Sequence, residues 1–149
     1  MLMSDSILLK LHLFGVAFWF GVVGVEFIVE RQRAAHREQG FLVARVHERI
    51  DLFLEMPAFV LVLITGVMMV DMDRLTDFYL LKVSAGAIAV LGNVLCLAPV
   101  FARKSAADRQ DLGAVIRYSA AIDRITLVAL PAGLLAFCLG VALMLNVIQ

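Results

Sequence analysis

The chain has 149 residues, 62% of them hydrophobic, and its 13 basic and 13 acidic residues give a formal net charge of zero. A mean hydropathy of +0.94 excludes an ordinary soluble domain. Four apolar runs follow one another, each long enough to cross a hydrocarbon core of roughly 30 Å, which takes about 20 residues. We therefore predict an all-α fold, in which a single membrane domain over residues 1–149 forms a polytopic four-helix bundle from two hairpins. The predicted helices are residues 7–29, 50–70, 78–101 and 122–148.

The first run carries three polar or aromatic side chains on one face. It is longer than the core of a signal peptide, and no small-residue cleavage site follows it, so we interpret it as a helix of the mature protein. His12, Trp19 and Glu26 recur seven residues apart, which places them on one stripe of that helix. An ionisable side chain at membrane depth is costly and usually faces a partner or a cavity. Glu26 is therefore the first candidate functional residue.

The three later runs also place polar and small residues on one helix face. Small residues let membrane helices approach closely, and polar residues bond across the interface. The stripes therefore predict a bundle with a partly polar interior. Their members are His47, Asp51, Glu55 and Thr65 around the second run, Lys82, Gly86, Asn93 and Cys96 in the third, and Ser119, Asp123, Thr126 and Gly133 around the fourth.

Basic residues mark one side of the membrane. The first and third links between runs are rich in arginine, whereas the link at residues 71–77 is mainly acidic. By the positive-inside rule the basic links are cytosolic and both termini are non-cytosolic. We predict a multi-pass protein of the cell inner membrane whose partner is the lipid bilayer, with a homo-oligomer or a larger membrane complex as further possibilities. Since topology accounts for the arginines, nucleic-acid binding is disfavoured.

Depth along the helices, at about 1.5 Å per residue, sorts the polar residues into two layers. His12 and Lys82 form the outer layer. The inner layer is mainly acidic. Its members are Glu26 and Glu55, about one turn inside the cytosolic boundary, Asn93, which lies deeper, and Asp51, Asp123, Glu30 and His47, at or just outside that boundary.

The inner layer has three interpretations. Carboxylates and an imidazole on facing helices suit a divalent transition-metal ion, and the candidate ligands are Glu26, Glu55, Asp51, His47, Asp123 and Asn93. Two facing carboxylates do not both stay ionised without a cation between them, so the alternative is proton transfer by Glu26 and Glu55. In the third interpretation the boundary acids simply pair with nearby arginines. Those arginines are Arg31, Arg45, Arg49 and Arg124.

Two segments carry a family resemblance. Residues 10–15 read Lys-Leu-His-Leu-Phe-Gly, and Trp-Phe-Gly follows at 19–21. The second segment runs from Arg-Ile-Asp at 49–51 through Pro-Ala at 57–58 to Thr-Gly at 65–66. The pattern resembles a group of small four-helix integral membrane proteins. The group comprises the haem-binding membrane protoporphyrinogen oxidases, the copper-resistance D-type membrane domains and related predicted membrane proteins of unknown function.

The resemblance implies a cofactor site in the outer layer. It implies haem b with His12 as a ligand, Lys82 as an essential lysine near a haem propionate, and Trp19 beside them. Glu26 and Glu55 fall outside the oxidase pattern. Three functions therefore stay open: binding of a transition metal or protons, possibly for transport or redox chemistry; a haem b redox protein or porphyrinogen oxidase-like enzyme; and an accessory subunit of a membrane complex.

Overall fold

The computed structural model describes residues 2–71 and 76–145. Within these ranges the chain forms four long helices, α1 (Leu2–Glu30), α2 (Arg37–Met68), α3 (Asp77–Asp108) and α4 (Leu112–Met144). By length and composition, all four can cross a membrane. The predicted all-α architecture, with four helices long and apolar enough to cross a membrane, is therefore confirmed. Most of the predicted acidic link, at 72–75, and the predicted end of the fourth helix, at 146–148, lie outside the described residues.

The helices extend well beyond the predicted runs at the arginine-rich end of the bundle, which we call the basic end. There α2 begins at Arg37 rather than at residue 50, α3 ends at Asp108 rather than at residue 101, and α4 begins at Leu112 rather than at residue 122. Hydropathy identifies only the part of a helix that lipid can surround. The polar extensions are stabilised by packing on one another, through a buried cluster of Phe41, Ala44, Ala106, Ala107, Ala114 and Val115.

One turn of α2 is wider than the rest. The backbone N–H of Met56 donates to the carbonyl of Asp51, five residues earlier, so residues 51–55 form a single π-helical turn. Pro57 follows directly, and proline cannot donate a backbone hydrogen bond. Isolated π turns occur frequently at functional sites. This turn begins at Asp51 and ends at Glu55, two of the candidate ligands.

The helices are brought together by small residues at their crossings. The main contacts join α3 to α4 and α1 to the Met56–Met68 part of α2, while the beginning of α2 packs on α3. A Cβ atom built on Gly92 of α3 would lie 2.4 Å from the Cβ of Ala129 on α4. One built on Gly133 would lie 3.0 Å from the indole of Trp19. The two glycines therefore permit the close packing that surrounds the interior cavity.

Candidate metal centre

A cavity of about 50 Å³ lies between the four helices. Each helix contributes to its wall. This volume accommodates an ion with a few waters and is far below the roughly 300–1,000 Å³ of most small-molecule pockets. The lining residues include Trp19, Glu26, His47, Asp51, Glu55, Asn93, Cys96 and Thr126.

Three potential ligands converge on one side of the cavity. Glu26, His47 and Asp51 each offer an atom, and these atoms all lie within 4.8 Å of one another. The Nε2 atom of His47 is 3.1 Å from Asp51 Oδ1 and 3.9 Å from Glu26 Oε1. The side chains are buried, with 8%, 6% and 2% of the surface of Glu26, His47 and Asp51 exposed. We call these three residues the triad.

Two oxygens of the triad accept no well-aligned hydrogen bond from the described residues, although Asp51 Oδ1 lies 3.1 Å from His47 Nε2. Glu26 Oε1 and Asp51 Oδ1 are fully buried, and neither accepts a hydrogen bond of acceptable geometry. The amide nitrogen of Asn93, which also lines the cavity, is buried without an acceptor in the described part of the chain. Buried polar atoms are normally satisfied, because each orphaned group costs about 1–3 kcal/mol. A cation, a proton or a water at this position would satisfy these atoms.

Glu55 lies beside the triad but has its own donor. The indole Nε1–H of Trp19 donates to Glu55 Oε1 over 2.9 Å. Trp19 is 7% exposed and packs with Ala58, Phe59 and Ala89. Its polar edge thus belongs to the inner, acidic layer, whereas the sequence grouped it with the outer cofactor residues His12 and Lys82.

The predicted pairing of boundary acids with arginines holds for Glu30 and Asp123, but Asp51 has no arginine partner among the described residues. Glu30 and Asp123 do pair with arginines, but through Arg33 and Arg103. Asp123 is half exposed and bonds to Arg33, so the structure does not bring it to the cavity. His47 and Asp51, for which the sequence predicts a boundary position, are instead deeply buried, because α2 is already helical from Arg37 and packs on α1 and α3.

Two residues that contact the site are not among the ligands that the sequence predicts. Glu30 contacts the imidazole of His47 through Nδ1, and Arg103 is only 1% exposed and bonds to Glu30. Glu30 follows Glu26 by four residues, a spacing that places both on one helix face. Arg103 follows Cys96 by seven residues and so continues the polar stripe of α3. It was assigned to a link because the predicted helix ended at residue 101.

The outer layer has separate contacts. The hydroxyl of Thr65 donates to the Leu61 carbonyl over 2.6 Å, so its oxygen is left to accept from Nδ1–H of His12 at 2.9 Å. In that tautomer the Nε2 atom of His12 carries the free lone pair. The ammonium of Lys82 lies 5.5 Å from the centre of the Tyr79 ring. Both His12 and Lys82 are half-buried.

Comparisons with known proteins do not assign this chain, since no family model, curated protein or solved structure matches it. The resemblance to haem-binding and copper-resistance membrane proteins therefore stays a prediction.

Proposed function

We propose that this membrane protein binds a divalent transition-metal ion at the triad of Glu26, His47 and Asp51. One observation carries the proposal: two orphaned carboxylate oxygens and an imidazole nitrogen converge within 4.8 Å on a small buried cavity. A cation held between these atoms would satisfy both oxygens at once. Carboxylates packed together in a low-dielectric interior are otherwise strongly unfavourable.

The balance of charges favours an ion with two positive charges. The carboxylate of Glu30 is matched by Arg103, and that of Asp123 by Arg33. Among the described residues, Glu26 and Asp51 have no arginine or lysine within ion-pair distance. With a neutral imidazole at His47 and a proton on Glu55, which also lines the cavity, a dipositive ion would neutralise these two carboxylates. A buried site with no net charge avoids the desolvation cost that an unbalanced charge would carry.

The ligand types narrow the choice of ion. Carboxylate oxygens suit magnesium, calcium and manganese, whereas imidazole suits zinc, copper, iron and nickel. A set with two carboxylates and one imidazole lies between these classes, so Mn²⁺, Fe²⁺ and Zn²⁺ are the ions we propose. Glu55 and Asn93 line the same cavity and are available to orient a water on the ion.

Haem b at His12 is the second candidate function. The hydrogen bond from His12 Nδ1–H to Thr65 leaves Nε2 available as an axial ligand. The support is weaker, because a single half-buried histidine carries it. An accessory subunit of a larger membrane complex is the third possibility.

Metal content and absorption of the purified protein test the proposal. We expect about one divalent ion per chain after incubation with Mn²⁺, Fe²⁺ or Zn²⁺ and removal of excess metal, measured by elemental analysis. Glu26→Gln and Asp51→Asn should lose the ion, since each replaces an anionic ligand with a neutral amide. Asp108→Asn is the matched control, because Asp108 pairs with Arg45 and Lys104 away from the cavity.

Two results would contradict the proposal. One is a wild-type protein that retains none of the three ions. The other is equal occupancy in the wild type and Glu26→Gln. A Soret absorption band that disappears in His12→Ala would favour the haem function instead. A colourless, metal-free protein that copurifies with fixed partners would favour the accessory-subunit function.

A further inference from the structure

The first hairpin supplies the whole triad, and an arginine of the second hairpin contacts the triad's histidine through Glu30. Glu26 lies on α1, whereas His47 and Asp51 lie on α2. Arg103 extends from α3 into the interior, where it is 1% exposed. We propose that Arg103, acting through Glu30, positions the imidazole of His47 so that its Nε2 atom faces the metal ion. This inference rests on the proposed function and makes Arg103 a positioning residue.

Arg103 holds the Glu30 carboxylate in a defined plane. Its NH2 group donates to Glu30 Oε1 over 2.7 Å, and its NH1 group donates to Oε2 over 3.1 Å. NH1 also donates to the hydroxyl of Ser119 on α4 over 3.2 Å. A two-pronged contact between guanidinium and carboxylate fixes the orientation of both groups as well as their separation.

Glu30 in turn sets the orientation of the imidazole. Its Oε1 atom accepts from His47 Nδ1–H. A neutral ring with its proton on Nδ1 presents the lone pair of Nε2 on the opposite side, where Asp51 Oδ1 lies at 3.1 Å and Glu26 Oε1 at 3.9 Å. Carboxylates that accept from the non-ligating nitrogen of a histidine are the usual way in which proteins fix the tautomer of a metal ligand.

Arg103 is required to keep Glu30 against His47, because Arg33 also bonds to the Glu30 carboxylate. Arg33 donates to Glu30 Oε2 over 2.9 Å, but the Arg33 side chain is 30% exposed and also bonds to Asp123. Without Arg103, the buried Glu30 carboxylate would be drawn towards Arg33 and away from His47. Among the described residues, the charged groups that remain around the imidazole would then all belong to the first hairpin. They are Glu26, Glu30 and Arg33 from α1 and its continuation, and Asp51 and Glu55 from α2.

Nitrogen NMR of labelled histidine tests the inference. The chain has three histidines, so ring ¹⁵N–¹H correlations of the protein in detergent can be assigned by single substitutions. We expect wild-type His47 to show an Nδ1–H signal and, with Zn²⁺ added, a metal-bound Nε2. In Arg103→Met the Nδ1–H signal should be lost and the affinity for Zn²⁺ should fall about 10- to 100-fold. Arg103→Lys keeps the positive charge but cannot make the two-pronged contact with Glu30. Its affinity for Zn²⁺ should lie between those of the wild type and Arg103→Met.

The control and the double variant separate positioning from general stability. Arg45→Met removes a different arginine pair of α3, the 2.9 Å contact between Arg45 of α2 and Asp108, and should leave the Nδ1–H signal and the Zn²⁺ affinity unchanged. Replacing a whole buried ion pair with apolar residues is often close to neutral for stability. The double variant Glu30→Leu with Arg103→Met should therefore fold and still bind Zn²⁺ weakly.

Each outcome decides the inference. It is overturned if Arg103→Met keeps the Nδ1–H signal and the wild-type affinity while only its unfolding temperature falls. It is also overturned if the double variant binds Zn²⁺ with the affinity of the wild type. This second test remains possible even if Arg103→Met alone fails to fold. A wild type that binds none of Mn²⁺, Fe²⁺ and Zn²⁺ refutes the proposed function, while its Nδ1–H signal still reports whether Arg103 and Glu30 orient the ring.

Discussion

At the scale of single residues, Glu55 and Glu26 differ in whether a donor reaches them. Glu55 accepts from the Trp19 indole, whereas Glu26 Oε1 has no donor among the described residues. A hydrogen bond to a buried carboxylate contributes more than its net average, because losing the donor exposes the full desolvation penalty of the acceptor. The Trp19 indole therefore satisfies Glu55 within the protein, whereas Glu26 needs a ligand.

Trp19→Phe should lower stability, since phenylalanine keeps an aromatic ring beside Gly133 but removes the donor to Glu55. We expect a loss of about 1–2 kcal/mol in the free energy of unfolding, measured by circular dichroism during thermal or denaturant unfolding in detergent. In a Glu55→Leu background the same change should cost less, because the acceptor is gone. Equal losses in the two backgrounds would show that this hydrogen bond does not stabilise the fold.

At the scale of helices, the polar site depends on close crossings between small residues. Gly92 and Ala129 bring α3 and α4 together at the level of the cavity, and the π turn of α2 places Asp51 and Glu55 on its wall. Membrane helices gain little from the hydrophobic effect when they associate, so close packing has to hold them together. The crossing of α3 and α4 is therefore a sensitive point of the bundle.

Gly92→Ala should separate α3 from α4. The added Cβ would lie 2.4 Å from the Ala129 Cβ and 3.4 Å from its Cα, and neither atom belongs to a flexible side chain. Overpacking of this kind costs about 1–3 kcal/mol, which unfolding in detergent should reveal. Gly86→Ala on the same helix is the control, since its Cβ would meet nothing closer than 3.9 Å and alanine favours the helix by about 1 kcal/mol. Similar stabilities of the two variants would refute the steric argument.

At the scale of the whole molecule, the predicted orientation across the membrane depends on the exposed arginines. Arg103 is buried and Arg33 is engaged with Glu30 and Asp123, so neither serves mainly to mark a membrane side. The basic end nonetheless keeps a clear excess of exposed arginines without them. These are Arg31, Arg37, Arg49, Arg109, Arg117 and Arg124.

We therefore predict that the basic end is cytosolic. In a variant whose two native cysteines are replaced by serine, Gln110→Cys lies in the turn between α3 and α4, and Thr76→Cys lies just before α3. In intact cells, a membrane-impermeant maleimide should label the cysteine at 76 and spare the one at 110. Permeabilised cells should label both. The reverse pattern would show that both termini are cytosolic.

Much of the architecture follows from the chain alone, because lipid imposes a simple rule. A backbone in hydrocarbon has to satisfy its own hydrogen bonds, so four long apolar runs become four helices. Helical periodicity likewise placed Glu26, Glu55, Asp51, His47 and Asn93 on inward faces, and the structure brings these residues to one cavity. Those inferences required only length, hydropathy and spacing, which are local properties of a sequence.

Contacts between helices could not be obtained in that way. Arg103 and Glu30 are far apart in the chain, and their pairing depends on how α1 and α3 pack at the basic end. Asp123 occupies a face that looks like a ligand stripe, yet it bonds to Arg33 at the surface. Periodicity states which face a residue occupies, whereas a ligand set, an ion pair or a rim position depends on which other helix lies opposite that face and at what height.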